Sequence, residues 1–205
     1  MTKFILVRHG ETEWNKERRI QGSASDTPLS PTGLNQAEQL ALKLKTDPVQ
    51  AIFSSPLQRA LDTAKAIAQY HNLEVRVLPE LKEINVGELE GQLSLTLAKR
   101  FDEFVCRNGQ NDEGWIKLPG GESVNEVQTR AWEAIQKMAY QYPEGTVVVV
   151  SHYFVIMSIV CRILNLPLNN MVHLRLSTGT VSIFTLDGKE DTRLELFNDS
   201  CHHRK

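Results

Sequence analysis

Residues 146–151 read TVVVVS, and residues 152–156 continue HYFVI. Four consecutive valines leave no polar alternation. A strand with one wet face alternates apolar and polar side chains, whereas a strand covered on both faces is apolar throughout. The run therefore predicts a central strand in a layered α/β sheet, followed by a helix from about Tyr153 to Leu164. Ser151-His152 then falls at the carboxyl end of that strand, against the amino end of the next helix.

The same grammar repeats outward from this point. KFILVR (3–8) and QAIFSS (50–55) read as short buried strands, and EVRVL (74–78) as a third. Ser30-Pro31 predicts a helix start, with Leu34, Ala37, Ala41 and Leu44 at helical spacing. Ser55-Pro56 predicts another, with Leu57, Ala60, Leu61, Ala64, Ile67 and Ala68 on one face. Ser123-x-x-Glu126 is a capping-box pattern ahead of Val124, Val127, Ala131, Ala134 and Met138. Two further strands are expected near 180–186 and 192–197. Strands alternating with helices predict a mostly parallel sheet flanked by helices on both faces, with residues 1–205 as one domain.

Three strand ends carry charge or imidazole. Arg8-His9 ends the first strand, Ser54-Ser55 ends the second with Arg59 just beyond, and Ser151-His152 ends the valine strand. Ligands of open α/β sheets bind outside the carboxyl ends of strands. Helix amino termini there add free N–H groups and positive dipole ends. Two arginines and two histidines in that position predict an anion pocket containing a nucleophilic imidazole. Chemistry on a phosphate also needs an acid, and the loop ELKEINVGELEG (80–91) offers Glu80, Glu83, Glu88 and Glu90. Physics alone does not rank these four.

Composition narrows the function classes. Hydrophobic residues make up 41% and charged residues 23%, and 23 basic against 25 acidic residues give a net charge of −2. Nothing in this balance suggests a polyanion-binding surface, so no nucleic acid is expected. No apolar run is long enough to span a bilayer, so no membrane is expected. Cys106, Cys161 and Cys201 are odd in number and lack a C-x-x-C spacing, which predicts a cytoplasmic, disulfide-free chain without a thiolate zinc site. A homodimer stays open.

The motifs resemble the histidine phosphatase superfamily, with its phosphoglycerate-mutase-like fold. VRHGETEWN (7–15) is followed in order by LSPTG (29–33), SSPLQRALDTA (54–64), LKEINVGELEG (81–91), PGGES (119–123) and VVSHYFVI (149–156). The resemblance implies that His9 becomes phosphohistidine, that Arg8, Arg59 and His152 hold the phosphoryl oxygens, and that Glu83 is the acid. It implies that Asn15 donates an amide hydrogen bond and that Gln21-Gly22 lines the site, with no metal and no other cofactor. Tyr153, beside His152, is counted with the substrate-binding candidates. So is His202, because some phosphatases of the superfamily bring a C-terminal histidine near the substrate. From composition and position, CHHRK (201–205) as a whole reads as a frayed tail.

Residues 84–122 read as a lid insertion that sets substrate choice. Leu97, Phe101 and Phe104 predict an amphipathic helix in it. Mutases of the superfamily are longer here, carry a Tyr three residues after the acid, and have a paired Arg further on. Val86 and the scattered Lys99, Arg100, Arg107 and Lys117 depart from that pattern. The expectation is a phosphomonoester hydrolase for small phosphorylated metabolites. A dedicated phosphoserine, sugar or ribazole phosphatase, a phosphoglycerate mutase and a catalytically inactive binding member are the alternatives.

Overall fold

The computed structural model describes residues 1–95, 105–106, 115–116, 118–187 and 191–203. The helix expected around Leu97, Phe101 and Phe104, and the basic residues Lys99, Arg100, Arg107 and Lys117, lie outside the described residues. So do the side chains of Cys106 and Trp115.

Six strands form the main sheet: β1 (Thr2–Arg8), β2 (Val49–Ser54), β3 (Val75–Val77), β6 (Thr146–Ser151), β7 (Val181–Leu186) and β8 (Thr192–Asp199). Their order is β3-β2-β6-β1-β7-β8. The first four are parallel, while β7 and β8 add antiparallel strands at one edge. A short separate ribbon pairs β4 (Val105–Cys106) with β5 (Trp115–Ile116).

The valine strand lies between β1 and β2 and is buried along its whole length. Its side chains alternate between two cores. Val147 and Val149, with Phe4, Leu6 and Phe53, pack on α4 (Val124–Gln141) and α5 (Tyr153–Ile163). Val148 and Val150, with Ile5, Val7 and Ile52, pack on α2 (Pro31–Leu44) and α3 (Gln58–Gln69). Sheet burial on both faces explains why the strand has no polar alternation.

Some expectations shift. Helix α3 starts at Gln58, not at Ser55-Pro56, and Leu57 at its cap makes no side-chain bond. The cap comes from elsewhere: the Gln58 N–H donates to Asp26 Oδ1 at 2.6 Å. On α2, Leu34 is exposed and Leu40 takes its place in the core. The loop after β3 contains two short 3₁₀ turns, Pro79–Leu81 and Gly87–Leu89. A one-turn helix α1 (Glu13–Lys16) appears where no helix was expected.

The tail is not frayed at 201–203. Cys201–His203 forms a 3₁₀ turn, and His202 Nε2 donates to the Gly179 carbonyl at 2.8 Å. Among the described residues, no helix is long and apolar enough to cross a membrane.

Candidate active site

The chain leaves β1 towards the α2 face and leaves the adjacent β6 towards the α5 face. Such a divergence opens a crevice at the carboxyl ends of the two strands. Arg8 pairs with Ser151 in register, so His9 and His152 emerge side by side. Their ring centroids are 5.1 Å apart, and the His9 N–H donates to the Ser151 carbonyl at 3.1 Å.

His9 is buried, and its Nδ1 lies 2.7 Å from the Gly10 carbonyl. A carbonyl only accepts, so Nδ1 carries the proton and Nε2 keeps its lone pair. Burial, then the charges of Arg59 and Arg8, hold this imidazole well below its usual titration range. The ring is therefore neutral, with one nucleophilic nitrogen, in a cationic pocket.

His152 is also buried, with Nε2 2.7 Å from Ser55 Oγ. Its Nδ1 has no partner. If the Ser55 hydroxyl donates to Nε2, the only orphan is an Nδ1–H donor. The reverse tautomer would strand both the hydroxyl proton and a ring lone pair. Ser55 therefore orients His152 as a donor. Burial, followed by Arg59 and His9, keeps this ring neutral too.

The two arginines are anchored through backbone carbonyls. Arg59 is fully buried and donates to Gly22 O and Ser25 O, both at 3.0 Å. Arg8 donates to Leu176 O at 2.6 Å and lies 5.3 Å from the Tyr153 ring centroid. The Nε of each has no partner. Desolvation lowers Arg59 to about 10, which still leaves it cationic at neutral pH.

Glu83 is 4% exposed, between these groups. Its Oε1 accepts from the N–H groups of Ile84 at 2.9 Å and Phe154 at 3.2 Å. Burial raises its pKa above the usual carboxylate value, and Ile84, Arg59, Phe154 and Arg8 oppose that rise. Its rivals separate on geometry. Glu88 is exposed, while Glu90 Oε1 accepts from the Gly22 N–H at 3.0 Å. Glu80 contributes a carbonyl to Arg130.

Asn15 closes a capping box with Thr12, and its Oδ1 accepts from the Thr12 N–H at 3.1 Å. That leaves its amide NH₂ as the donating end. Thr12 Oγ1 also lies 2.9 Å from Gln21 Oε1, and Gln21 Nε2 is a buried donor without a partner. Gly22 has no room for a side chain, since a Cβ there would lie 2.6 Å from Val86 and 2.8 Å from the Ile84 carbonyl. Tyr153 opens α5 beside the pocket. His202 reaches the site through the backbone: Gly179, which accepts its hydrogen bond, donates to the Arg8 and His9 carbonyls at 3.1 and 3.0 Å.

Thr63 was not singled out in the sequence. Its hydroxyl accepts from the Gly10 N–H at 3.1 Å and donates to Arg59 O at 2.8 Å, which links the two motifs. The available signal was a polar residue one turn after Arg59 inside an apolar stripe. No cluster of three or more metal-ligating side chains occurs among the described residues.

A charged crevice at a strand switch point, with a neutral imidazole at its floor, is the architecture of a phosphoryl-transfer enzyme. The chain belongs to the histidine phosphatase superfamily (branch 1), whose model matches residues 4–200, and it is an enzyme of that type. It is 33% identical over 202 residues to phosphoserine phosphatase 1 of Hydrogenobacter thermophilus, covering 98% of this chain and 94% of the relative. It is 37% identical over 185 residues to a probable phosphoglycerate mutase of Enterobacter sp., covering 89% and 84%. Among solved structures, a phosphoserine phosphatase of Entamoeba histolytica in complex with 3-phosphoglyceric acid superposes with a TM-score of 0.86. That match has 31% identity and covers 98% and 99% of the two chains.

Proposed function

We propose that this protein hydrolyses small phosphomonoesters through a phosphohistidine on His9. The observation that carries the reading is the His9 ring itself. Its Nδ1 proton is fixed on Gly10, and its Nε2 lone pair is free beside Arg8, Arg59 and His152. Phosphoryl transfer passes through a loose transition state, so catalysis rests on positioning and on stabilising the equatorial oxygens. Arg8, Arg59 and the His152 Nδ1–H supply that stabilisation, and Gln21 Nε2 and the Asn15 amide add neutral donors.

Glu83 completes the cycle. Protonated, it gives its proton to the departing alkoxide as the O–P bond breaks and the Nε2–P bond forms. Ionised, it then takes a proton from water, which attacks phosphorus and releases inorganic phosphate and free His9. Its raised pKa suits the first half of this exchange. The relatives named above support phosphorylated three-carbon acids and amino acids as the substrate class.

The test is Glu83→Gln assayed on an alkyl phosphate panel and on p-nitrophenyl phosphate. Nitrophenolate leaves without a proton. For the alkyl esters kcat/KM, which reads phosphorylation of His9 and not the shared hydrolysis of phosphohistidine, should therefore fall by about 10²-fold or more, and for the nitrophenyl ester far less. Equal losses on both would make Glu83 structural and turn attention to Glu90.

A further inference from the structure

The geometry points to Arg130 and Glu122 as a positioning clamp that sets where Glu83 stands and ties it to the base of the segment between residues 85 and 122. This rests on the acid role proposed for Glu83.

Arg130 projects from α4 and grips the acid-bearing loop from behind. Its Nη1 donates to the Glu80 carbonyl at 2.5 Å and its Nη2 to the Glu83 carbonyl at 3.4 Å. The same guanidinium forks onto the Glu122 carboxylate, at 3.0 Å from Nε and 3.2 Å from Nη2. Glu122 in turn receives the Asn85 N–H at 2.8 Å, and its own N–H donates to the Asn85 carbonyl at 2.8 Å. One planar group thus fixes the backbone at residues 80 and 83 directly and at residue 85 through Glu122. A guanidinium suits this task because its donors are held in a rigid fork.

The two ends of the intervening segment are closed on each other at this point. The Glu88 N–H donates to the Pro119 carbonyl at 3.2 Å. A Cβ on Gly121 would lie 2.1 Å from the Asn85 carbonyl, and one on Gly87 would lie 2.1 Å from the Pro119 carbonyl. Backbone meets backbone here with no room for give. The front of Glu83 is held by different groups, the N–H donors of Ile84 and Phe154. Its carboxylate feels Arg59 and Arg8. Arg130 therefore acts on the position of the acid through the backbone of its loop.

The test compares Arg130→Gln, Glu122→Gln, the double variant and Glu83→Gln, each first checked for folding by circular dichroism and thermal unfolding. Substrates are the fastest alkyl phosphate of the panel and p-nitrophenyl phosphate. A displaced acid should lower kcat/KM on the alkyl ester, which reads phosphorylation of His9 alone, by about ten- to a hundredfold in Arg130→Gln, with kcat/KM on the nitrophenyl ester nearly unchanged. The double variant should be no worse than Arg130→Gln, because the pair acts as one unit. If Arg130→Gln does not fold, Glu122→Gln must show a smaller loss with the same dependence on leaving group. Equal losses on both esters, no loss, or a double variant whose loss is the product of the singles would overturn the clamp. A leaving-group effect in Glu83→Gln without one in Arg130→Gln removes the clamp alone. Its absence in Glu83→Gln removes the acid role and the clamp with it.

Discussion

His9 and His152 are both buried among cations, and both rest neutral for the same reason. Their distinct parts come from their partners: a carbonyl on His9 Nδ1 frees a lone pair, while the Ser55 hydroxyl on His152 Nε2 frees a donor. The same burial has a measurable effect on stability. Each imidazole binds a proton more readily in the unfolded chain, near pH 6.5, than in the folded one. Their contribution is thus fully present above about 6.5 and is lost as pH falls below it. Glu83 acts with the opposite sign, since its folded pKa is raised and its contribution is lost as pH rises through the window above 4.5. Glu83→Gln should therefore make stability climb more steeply with pH between about 4.5 and 6.5. Urea midpoints measured across that range check it, and an unchanged or shallower slope would count against the buried, protonated carboxyl. Which residues carry charge at the strand ends was legible in the sequence, because Arg and His have no business in a core. Which nitrogen carries the proton was not, because it depends on Gly10 O and on a serine 97 positions away.

The strands and helices place these groups by their ends. The valine run announced itself because burial on two faces removes alternation, and the Ser30 and Ser123 caps were legible because each bonds within its own helix. The α3 start was not, because Asp26 caps it from a distant loop, while Ser55 meets His152 and the Leu57 N–H ahead of the helix. The docked 201–203 turn was hidden similarly, since its hold is on Gly179. A close approach between segments makes another demand. The first turn of α2 crosses the chain just after His9, where a Cβ on Gly33 would lie 2.0 Å from the Glu11 carbonyl. Backbone cannot yield as a side chain does, so Gly33→Ala should cost about 1–3 kcal/mol. Turnover should fall with it, as Gly10 and Glu11 are pushed aside. Denaturant midpoints and kcat give both readings, and wild-type values would mean that this crossing is loose.

The molecule as a whole is two helical layers on one sheet, with the crevice where the layers part between β1 and β6. That division puts α2 and α3 behind His9 and Arg59, and α4 and α5 behind Glu83 and His152. Val86, three residues past Glu83, is 1% exposed in the core and offers no hydrogen bond to a second anion. Incubation with 3-phosphoglycerate and catalytic 2,3-bisphosphoglycerate should therefore release phosphate, while rapid conversion to 2-phosphoglycerate would make the protein a mutase. Exhaustive chelation should leave turnover unchanged, and loss with rescue by a divalent ion would require a metal in the step. The covalent step itself is read by quenching the enzyme in base during turnover and locating the phosphoryl group by peptide mass spectrometry and phosphorus NMR. The expected result is a base-stable, acid-labile phosphohistidine on Nε2 of His9, absent from a folded and inactive His9→Ala variant. A phosphoryl group on Nδ1 or on another residue, or undiminished turnover in His9→Ala, would contradict it.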